Sequence, residues 1–339
     1  MNRFDSVVIA GLAWIEAPER VTSSALTAPL AERLQALGMP RDFLEAITGI
    51  RARRFWPSGT RPSAAATLAG KRVLETSGIA PKQIGALVST SVSKDYVEPA
   101  VACFVHHALG LPDTCINFDI SNACLAFLNG MDVVAQMIER GQIEHGMIVV
   151  GESSRPVVEA TVRRLAEPAT DGARLREQLA TLTLGSGAAA MILAHVRCAP
   201  EGHAYLGTVS LADTAHHELC IGVAEEGLTD THNLLVHGVA LAKRTWQQAV
   251  EQLRWPLDSV DLFALHQVSG PHATELARAV GFDPSRAHPI YPEQGNVGPA
   301  SVPIVLADAD DAELLSSGDR VILGGIGSGL NCTVGAVLW

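Results

Sequence analysis

A weak internal repeat constrains the fold of this chain more than any other feature. In each half, a glycine-containing loop precedes a strand-like run, a helical pattern and a second strand-like run that closes on glycine and serine. Gly281 follows Gly110 by 171 residues, and Gly318 follows Gly141 by 177 residues, in a chain of 339. These offsets are about half the chain, so we predict two α/β halves of similar topology, at residues 1–195 and 196–339. The alternative is a chance alignment of glycine-punctuated α/β sequence.

Short apolar runs alternate with helical patterns along the chain. The runs lie at residues 7–15, 85–90, 115–120, 147–150, 188–194, 260–265 and 321–325. Because residues 147–150 are apolar without alternation, we expect a sheet that helices cover on both faces. The segment at about 153–182 is rich in Glu, Arg and Ala, and we predict that it forms helices inserted on the surface.

Composition and charge exclude several classes of function. Lys and Arg number 25 against 36 Asp and Glu, 47% of residues are hydrophobic, and no basic run exceeds a pair. This is the composition of a globular protein, and it disfavours nucleic-acid binding. No apolar stretch approaches the ~18 residues of a membrane-spanning helix. The run at 7–15 lies between Asp5 and Glu16, which favours a buried strand over a signal peptide and predicts a cytoplasmic protein.

Cys124 is the one cysteine whose position suggests chemistry. The six cysteines are far apart and include no Cys-x-x-Cys pair, so we expect neither a disulfide framework nor a metal site. Cys124 follows a strand-like run and opens a helical pattern. With Ser121 or Asn122 as the N-cap, the amide groups of a helix start would lower the pKa of this thiol and suit a nucleophile. The alternative is a small buried cysteine, which is our interpretation of Cys103, Cys115 and Cys332.

Three further candidates lie in the second half. His266 closes the run at 260–265, and ligands collect at the carboxyl ends of strands in α/β sheets. Asn296 lies in a glycine-rich turn that by itself is ordinary, but its amide could bind the same oxygen as His266. The loop at 325–330 resembles a phosphate-binding loop, yet it lies too near the C-terminus for a nucleotide-binding unit to follow. Its alternative role is to direct the Ser328 N–H at an acyl oxyanion.

Taken in order, these residues resemble the thiolase superfamily. The motifs are Cys124, then His266 in His-Gln-Val-Ser, then Asn296 in Gly-Asn-Val-Gly-Pro-Ala-Ser, then the glycine-rich loop. The nearest branch is the ketoacyl-ACP synthase III type. Within it, segments 93–99, 122–132 and 327–332 are most similar to the OleA family, the condensing enzymes of bacterial long-chain olefin biosynthesis. The resemblance implies a duplicated, five-layered αβαβα sandwich, a homodimer, no cofactor beyond acyl-CoA as substrate, and downstream olefin-pathway enzymes as partners.

The resemblance also implies a reaction. Cys124 would take an acyl group from a fatty acyl-CoA, with the oxyanion bound by the N–H groups of Cys124 and Ser328. His266 and Asn296 would bind the enolate oxygen of a second acyl-CoA, whose carbanion attacks the acyl-enzyme and gives a 2-alkyl-3-oxoalkanoic acid. Two other functions stay open: a malonyl-dependent 3-oxoacyl-ACP synthase III, and a non-catalytic acyl-binding subunit.

A condensation without decarboxylation needs a base, and the resemblance implies Glu98. It would enter the active site of the partner subunit, where we expect a dry acyl pocket to raise its pKa. From the residues alone, Glu98 is an ordinary solvated loop glutamate.

A basic and aromatic cluster at residues 49–56 completes the candidate site. By the same resemblance this segment helps to bind CoA, so that Arg51, Arg53 or Arg54 could pair with phosphates and Trp56 could stack on adenine. The alternative is a solvated basic loop.

Overall fold

Strands form where the apolar runs predict them. The computed structural model describes residues 2–223 and 226–339, and each predicted run coincides with a β-strand. The strands are β1 (Asn2–Arg3), β2 (Val7–Glu16), β3 (Glu19–Thr22), β4 (Ala52–Phe55), β5 (Ala86–Ser89), β6 (Ile116–Asp119), β7 (His145–Glu152), β8 (Gly187–His195), β9 (His203–Ala212), β10 (Cys220–Val223), β11 (Glu226–Thr229), β12 (Leu262–Leu265), β13 (Arg320–Gly327) and β14 (Asn331–Leu338). The long strands β9 and β14 are absent from the predicted runs because polar residues and glycine interrupt their apolar positions.

Helices fill the intervals between the strands. They are α1 (Ser23–Thr27), α2 (Ala31–Ala36), α3 (Phe43–Thr48), α4 (Pro62–Ser77), α5 (Val101–Leu109), α6 (Ala126–Glu139), α7 (Arg155–Leu165), α8 (Gly172–Gln178), α9 (Thr231–Leu253), α10 (Gly270–Val280), α11 (Tyr291–Gln294) and α12 (Ser301–Asp311). Helix α5 ends at Gly110 (φ +62°) and α10 ends at Gly281 (φ +89°). Both glycines adopt the left-handed conformation that commonly ends a helix, so the residues that reveal the repeat play the same structural part.

The sheet topology repeats between the halves. One sheet runs in the order β12-β13-β14-β9-β2-β8-β7-β5-β6, with β1 paired to β9. Outward from the centre, β2-β8-β7-β5 and β9-β14-β13-β12 each pair antiparallel, antiparallel and then parallel. Where the first half adds β6, the second half has a single parallel bridge from Phe263 to Ala287. Ala287 follows Ile116 of β6 by the same 171 residues that separate the two capping glycines.

Helices α6 and α12 form the central layer between the two halves of the sheet. Alternate residues of β7 point to opposite faces: Ile148 and Val150 join a cluster with α6 and α12, whereas Met147 and Val149 pack with α4 and α5. In the second half, α9 and α10 cover the outer face in the same way. The predicted five-layered αβαβα fold is therefore confirmed. Since β2 pairs with β9 through Val8 and Ile9, the boundary at residues 195 and 196 stays a prediction.

The segment at 153–182 forms helices α7 and α8, as predicted. The segment is more buried than predicted, because these helices form a separate apolar cluster with the N-terminal helices α1–α3. The buried members from the insertion are Val158, Val162, Leu165, Leu175 and Leu182. In the part of the chain that the structure describes, no helix has the length and apolar character needed to cross a membrane.

Candidate active site

Cys124 lies on a sharp turn between β6 and α6. Residues Ala123–Leu125 form one turn of 3₁₀ helix, and Ala123 has φ +46°, which is uncommon for a residue with a side chain. Asn122 occupies the N-cap position, one of the two residues expected there, but its side chain makes no capping hydrogen bond to this turn. Asn122 instead donates a hydrogen bond to Asn129 Oδ1 (2.7 Å) and accepts one from Asn331 Nδ2 (3.2 Å). These hydrogen bonds connect the Cys124 turn to α6 and to the start of β14.

The predicted lowering of the Cys124 pKa is also wrong. Burial raises the pKa of this thiol to about 12, and the nearby Cys220 and Glu152 raise it further, while the backbone amide lowers it by less. A buried thiolate loses its hydration, and one amide at a short 3₁₀ turn does not replace it. The thiol is therefore protonated at neutral pH. Cys220 begins β10, so the paired strands β10 and β11 lie near the Cys124 thiol.

The glycine-rich end of β13 lets the Cys124 turn approach closely. A Cβ built on Gly325 would lie 2.7 Å from His266 Cβ and 3.3 Å from Leu125 Cδ2. A Cβ on Gly327 would lie 3.6 Å from the backbone nitrogen of Cys124. Side chains at these two positions would push the turn away. Because Ser328 directly follows Gly327, the two backbone segments expected to bind an oxyanion lie side by side.

His266 lies at the carboxyl end of β12 and is 3% exposed. Burial lowers the pKa of its imidazole to about 3; His272 lowers it further, and a hydrogen bond with the Gly298 backbone raises it. His266 Nδ1 is buried and has no hydrogen-bond partner within the described residues. The imidazole is therefore neutral at physiological pH, which is the form expected for a hydrogen-bond donor to an oxyanion.

Asn296 is oriented by its own turn. Its backbone N–H donates to Thr183 O (2.9 Å), and its backbone oxygen accepts from Gly185 N (2.8 Å). The side-chain Oδ1 accepts from Gly298 N (3.0 Å). Since Oδ1 is used within the turn, the Nδ2 donor is the group left to face a ligand.

Gly298 links the three predicted residues. Its backbone bonds to both His266 and Asn296, and the segment Gly298–Ala300 packs against the Cys124 turn. The structure thus brings together a thiol from the first half and an imidazole and an amide from the second. The roles assigned to them stay predictions.

Glu98 is not part of this cluster within one chain. It lies on the loop between β5 and α5, residues 90–100, which we call the Glu98 loop. Glu98 is exposed and makes no hydrogen bond or ion pair within the described residues. Its neighbours Tyr96 and Val97 are also exposed, Val97 by 99%. The base predicted here would need a second copy of the chain to reach a dry pocket.

Two of the four residues predicted to bind CoA are buried, and for them the prediction is wrong. Arg53 is 0% exposed and donates from Nη2 to Leu182 O (3.0 Å), and burial lowers its pKa to about 10. Trp56 is 4% exposed and donates from Nε1 to Glu152 O (3.0 Å). Strand β4 and the residues after it pack under the inserted helices, a fact that a local basic pattern does not reveal.

The other two arginines are paired with carboxylates. Arg51 is exposed and lies 2.8 Å from Glu293, and the partly buried Arg54 lies 3.1 Å from Glu16. Arg51 keeps enough exposure to meet an anionic ligand, and the structure brings neither arginine into contact with the Cys124 turn. Their role in CoA binding stays a prediction.

Sequence reasoning missed Glu152, a buried carboxyl group at the end of β7. Its side chain accepts hydrogen bonds from Val92 N (2.6 Å), Ser93 N (3.2 Å) and Ser93 Oγ (2.8 Å). Burial raises the pKa of this carboxyl to about 7, and these bonds lower it by less. A charged residue that closes an otherwise apolar strand, like His266 at the end of β12, was the signal available in the sequence.

Comparisons with known proteins cover the whole chain. Family models of 3-oxoacyl-[acyl-carrier-protein] synthase III match residues 118–213, and those of its C-terminal part match residues 250–339. The acyl-CoA:acyl-CoA alkyltransferase of Xanthomonas campestris is 43% identical over 99% of both chains. The enzyme of the same name from Shewanella oneidensis is 39% identical, covering 99% of this chain and 100% of the relative.

A solved structure agrees with these relatives. OleA from Xanthomonas campestris, in a cysteine-to-serine variant with bound lauric acid and lauroyl-CoA, superposes with a TM-score of 0.97 at 43% identity. The match covers 99% of this chain and 100% of that one.

Proposed function

Because the chain belongs to the 3-oxoacyl-[acyl-carrier-protein] synthase III family, and within it to the acyl-CoA:acyl-CoA alkyltransferases, we propose that it joins two long-chain fatty acyl-CoAs by Claisen condensation without decarboxylation. The observation that carries the proposal is the meeting of Cys124, His266 and Asn296 around Gly298. The bound lauroyl-CoA of the Xanthomonas campestris relative supports acyl-CoA as the substrate class.

Acylation of Cys124 is the first half-reaction. The sulfur attacks the thioester carbonyl, and the oxyanion accepts hydrogen bonds from the N–H groups of Cys124 and Ser328. The C–S bond to CoA then breaks, and CoA leaves as a thiolate that takes up the thiol proton. Because the pKa of the Cys124 thiol is about 12, its proton is lost as the attack proceeds rather than beforehand.

Condensation is the second half-reaction. The carbonyl oxygen of a second acyl-CoA accepts hydrogen bonds from neutral His266 and from Asn296 Nδ2, which stabilise negative charge on that oxygen. Glu98 removes the α-proton, and the carbanion attacks the acyl carbonyl. Collapse of the tetrahedral intermediate expels the Cys124 thiolate. Hydrolysis of the remaining thioester then gives the 2-alkyl-3-oxoalkanoic acid.

A homodimer supplies Glu98 in this scheme. The exposed, partly apolar Glu98 loop supports a surface that a second copy covers. We also propose that the protein works in the cytoplasm, needs no cofactor beyond its acyl-CoA substrate, and passes its β-keto acid to downstream olefin-pathway enzymes.

Incubation with one acyl-CoA tests the proposal. We expect mass spectrometry to detect the β-keto acid, or the ketone formed when it loses carbon dioxide, from acyl-CoA alone. Cys124→Ala should form no product. A product that appears only when a malonyl thioester is added would favour a decarboxylative synthase. Acyl-CoA binding with no acyl adduct on Cys124 would favour a non-catalytic subunit.

A further inference from the structure

Carboxylates hold both ends of the Glu98 loop. Near its start, Glu152 accepts hydrogen bonds from Val92 N and from Ser93 N and Oγ. Just beyond its end, Asp119 accepts hydrogen bonds from the first two amides of α5, at 3.0 and 2.9 Å. Glu98 lies between these anchors. Within the loop, Asp95 also accepts hydrogen bonds from Ser63 N and Ser63 Oγ, so the direction of Glu98 from the protein surface depends on these three carboxylates together.

Glu152 also faces the reacting groups. It is 7% exposed, and a Cβ built on Gly298 would lie 3.9 Å from Glu152 Cγ. Gly298 is the residue whose backbone bonds to His266 and Asn296. The charge of Glu152 is among the causes that raise the pKa of Cys124. One side chain thus binds the loop and acts on the nucleophile.

No cation among the described residues forms an ion pair with Glu152. The positively charged side chains on neighbouring elements have other partners: Lys94 pairs with Asp119, Arg155 with Glu19 and Glu159, and Arg61 lies over the ring of Tyr96. Cys220 is the other titratable group that acts on Cys124, and the nearby imidazoles are those of His266 and of His272, which acts on His266. Burial keeps both imidazoles neutral by lowering their pKa values to about 3 and about 4. The hydrogen bonds from Val92 and Ser93 are therefore what stabilises the Glu152 charge.

The charge of Glu152 changes near neutral pH. With its pKa raised by burial to about 7, the carboxyl is ionised above that pH and protonated below it. A protonated carboxyl accepts N–H hydrogen bonds more weakly and exerts no charge on a nearby thiol. Both effects of Glu152 therefore respond to the same proton.

We propose that Glu152 is a positioning residue for the condensation: its carboxylate fixes the Glu98 loop, and its negative charge disfavours the Cys124 thiolate. The two effects oppose each other, because acylation requires sulfur to lose its proton and condensation requires Glu98 in place. The part that concerns Glu98 rests on the proposed function. The part that concerns Cys124 does not.

Glu152→Gln tests the electrostatic effect, because it removes the charge and keeps the size. Iodoacetamide alkylation of Cys124, followed on its peptide by mass spectrometry over a range of pH, measures thiolate formation without any acyl-CoA. Above about pH 7, where Glu152 of the wild type is ionised, we expect several-fold faster alkylation in the variant, since one pKa unit corresponds to about tenfold. Ser93→Ala is the matched control: it keeps the carboxyl but removes one hydrogen bond that stabilises its charge, so its alkylation rate should approach the wild-type rate at alkaline pH, where Glu152 is ionised in both proteins. Superimposable Glu152→Gln and wild-type profiles would overturn the proposal.

Measuring acylation and condensation separately distinguishes a positioning role for Glu152 from a general loss of structure. In Glu152→Gln and Ser93→Ala we expect condensation to fall several-fold relative to acylation, because both variants weaken the loop anchor. An equal loss of both half-reactions would mean a purely structural role and would overturn the proposal. If the wild type forms no condensation product at all, the proposed function fails, while the alkylation result still decides the effect on Cys124.

Amide hydrogen exchange tests the Glu152 anchor in the wild-type protein, without any substitution. The protection of the Val92 and Ser93 amides, corrected for intrinsic exchange, should rise several-fold between about pH 6 and about pH 8 as Glu152 ionises. The start of α9 is the internal reference, because its cap Asp230 has a lowered pKa and stays ionised throughout. Equal protection of Val92 and Ser93 at both pH values would contradict the proposal.

Discussion

Burial sets the charge of three titratable side chains in the candidate site, Cys124, Glu152 and His266. It raises the pKa values of the Cys124 thiol and the Glu152 carboxyl, and it lowers that of the His266 imidazole. In all three cases the neutral form gains, because a buried charge loses hydration that the surrounding groups replace only in part. Little charge is therefore present on these groups, and in the proposed reaction charge develops on the substrate carbonyl oxygen that the backbone amides, His266 and Asn296 would bind.

Glu98→Gln should separate the two half-reactions. Acylation of Cys124 needs no proton acceptor at this residue, so mass spectrometry should still detect the acyl adduct. Condensation should fall by a factor on the order of 10²–10⁴, the usual effect of losing a general base. Equal loss of adduct and product would point to a structural role for Glu98.

His266→Asn should make the folded protein less sensitive to acid. The native imidazole resists protonation down to about pH 3, whereas in the unfolded chain it takes up a proton near the ordinary value of 6.5. Stability due to neutral His266 is therefore present above pH 6.5 and is lost as the pH falls towards 3. Between pH 7 and about 4.5, the free energy of unfolding in urea should fall by about 2 kcal/mol less in the variant. His107→Asn, at an exposed site, is the control and should keep the wild-type response.

Among the helices and strands, the two halves end corresponding helices in the same way, and each half places a candidate site residue at the end of a strand. Helices α5 and α10 end at Gly110 and Gly281, and the bridge at Ala287 stands where the first half has β6. His266 and Glu152 each lie at the carboxyl end of a strand. Glu152 ends β7, the counterpart of β13, whereas His266 ends β12, the counterpart of β5, so the duplicated topology brings the carboxyl ends of different strands from the two halves to one site.

Gly110→Ala and Gly281→Ala should each lower the free energy of unfolding by about 1 kcal/mol. A Cβ at either position meets nothing within 4 Å, so the cost is that of a left-handed backbone alone. Gly222→Ala is the control, because that glycine also has open space around it and no positive φ. Urea unfolding measures all three, and a Gly281→Ala protein as stable as Gly222→Ala would contradict this account.

At the scale of the whole molecule, one chain holds the thiol, imidazole and amide but leaves Glu98 in solvent. The αβαβα layers bring Cys124 from the first half against Gly298 and Gly327 from the second. No equivalent contact ties Glu98 to this cluster among the described residues. The reaction that we propose is therefore complete only when a second copy contributes its Glu98 loop.

Mixed dimers should reveal whether Glu98 acts on the partner. Cys124→Ala and Glu98→Gln dimers are each expected to condense poorly. In a heterodimer of the two, one site combines an intact Cys124 with the intact Glu98 of the other chain. Random mixing of subunits should restore roughly a quarter of wild-type condensation, since half of the dimers are mixed and each has one working site. No recovery in verified heterodimers would show that Glu98 acts within its own chain or not at all.

Local patterns in the sequence predict the two α/β halves, and the family resemblance adds the five-layered αβαβα arrangement. Apolar runs predict the strands, capping glycines spaced by half the chain predict the duplication, and residues at strand ends such as His266 predict where a site forms. Cys124 and His266 were candidates because each lies beside a turn or a strand end, whereas Asn296 lies in an ordinary turn, and the family resemblance is what singled out the three residues together.

The burial of individual side chains, and with it their charge, depends on the tertiary structure. Arg53 and Trp56 belong to a basic and aromatic segment that predicts a ligand surface, yet the inserted helices and β7 bury both side chains. The thiol of Cys124 has a raised pKa, and Glu152 faces it, because elements distant in sequence remove water from both. Desolvation depends on everything that packs around a group, and a local pattern contains only the residues beside it in the chain.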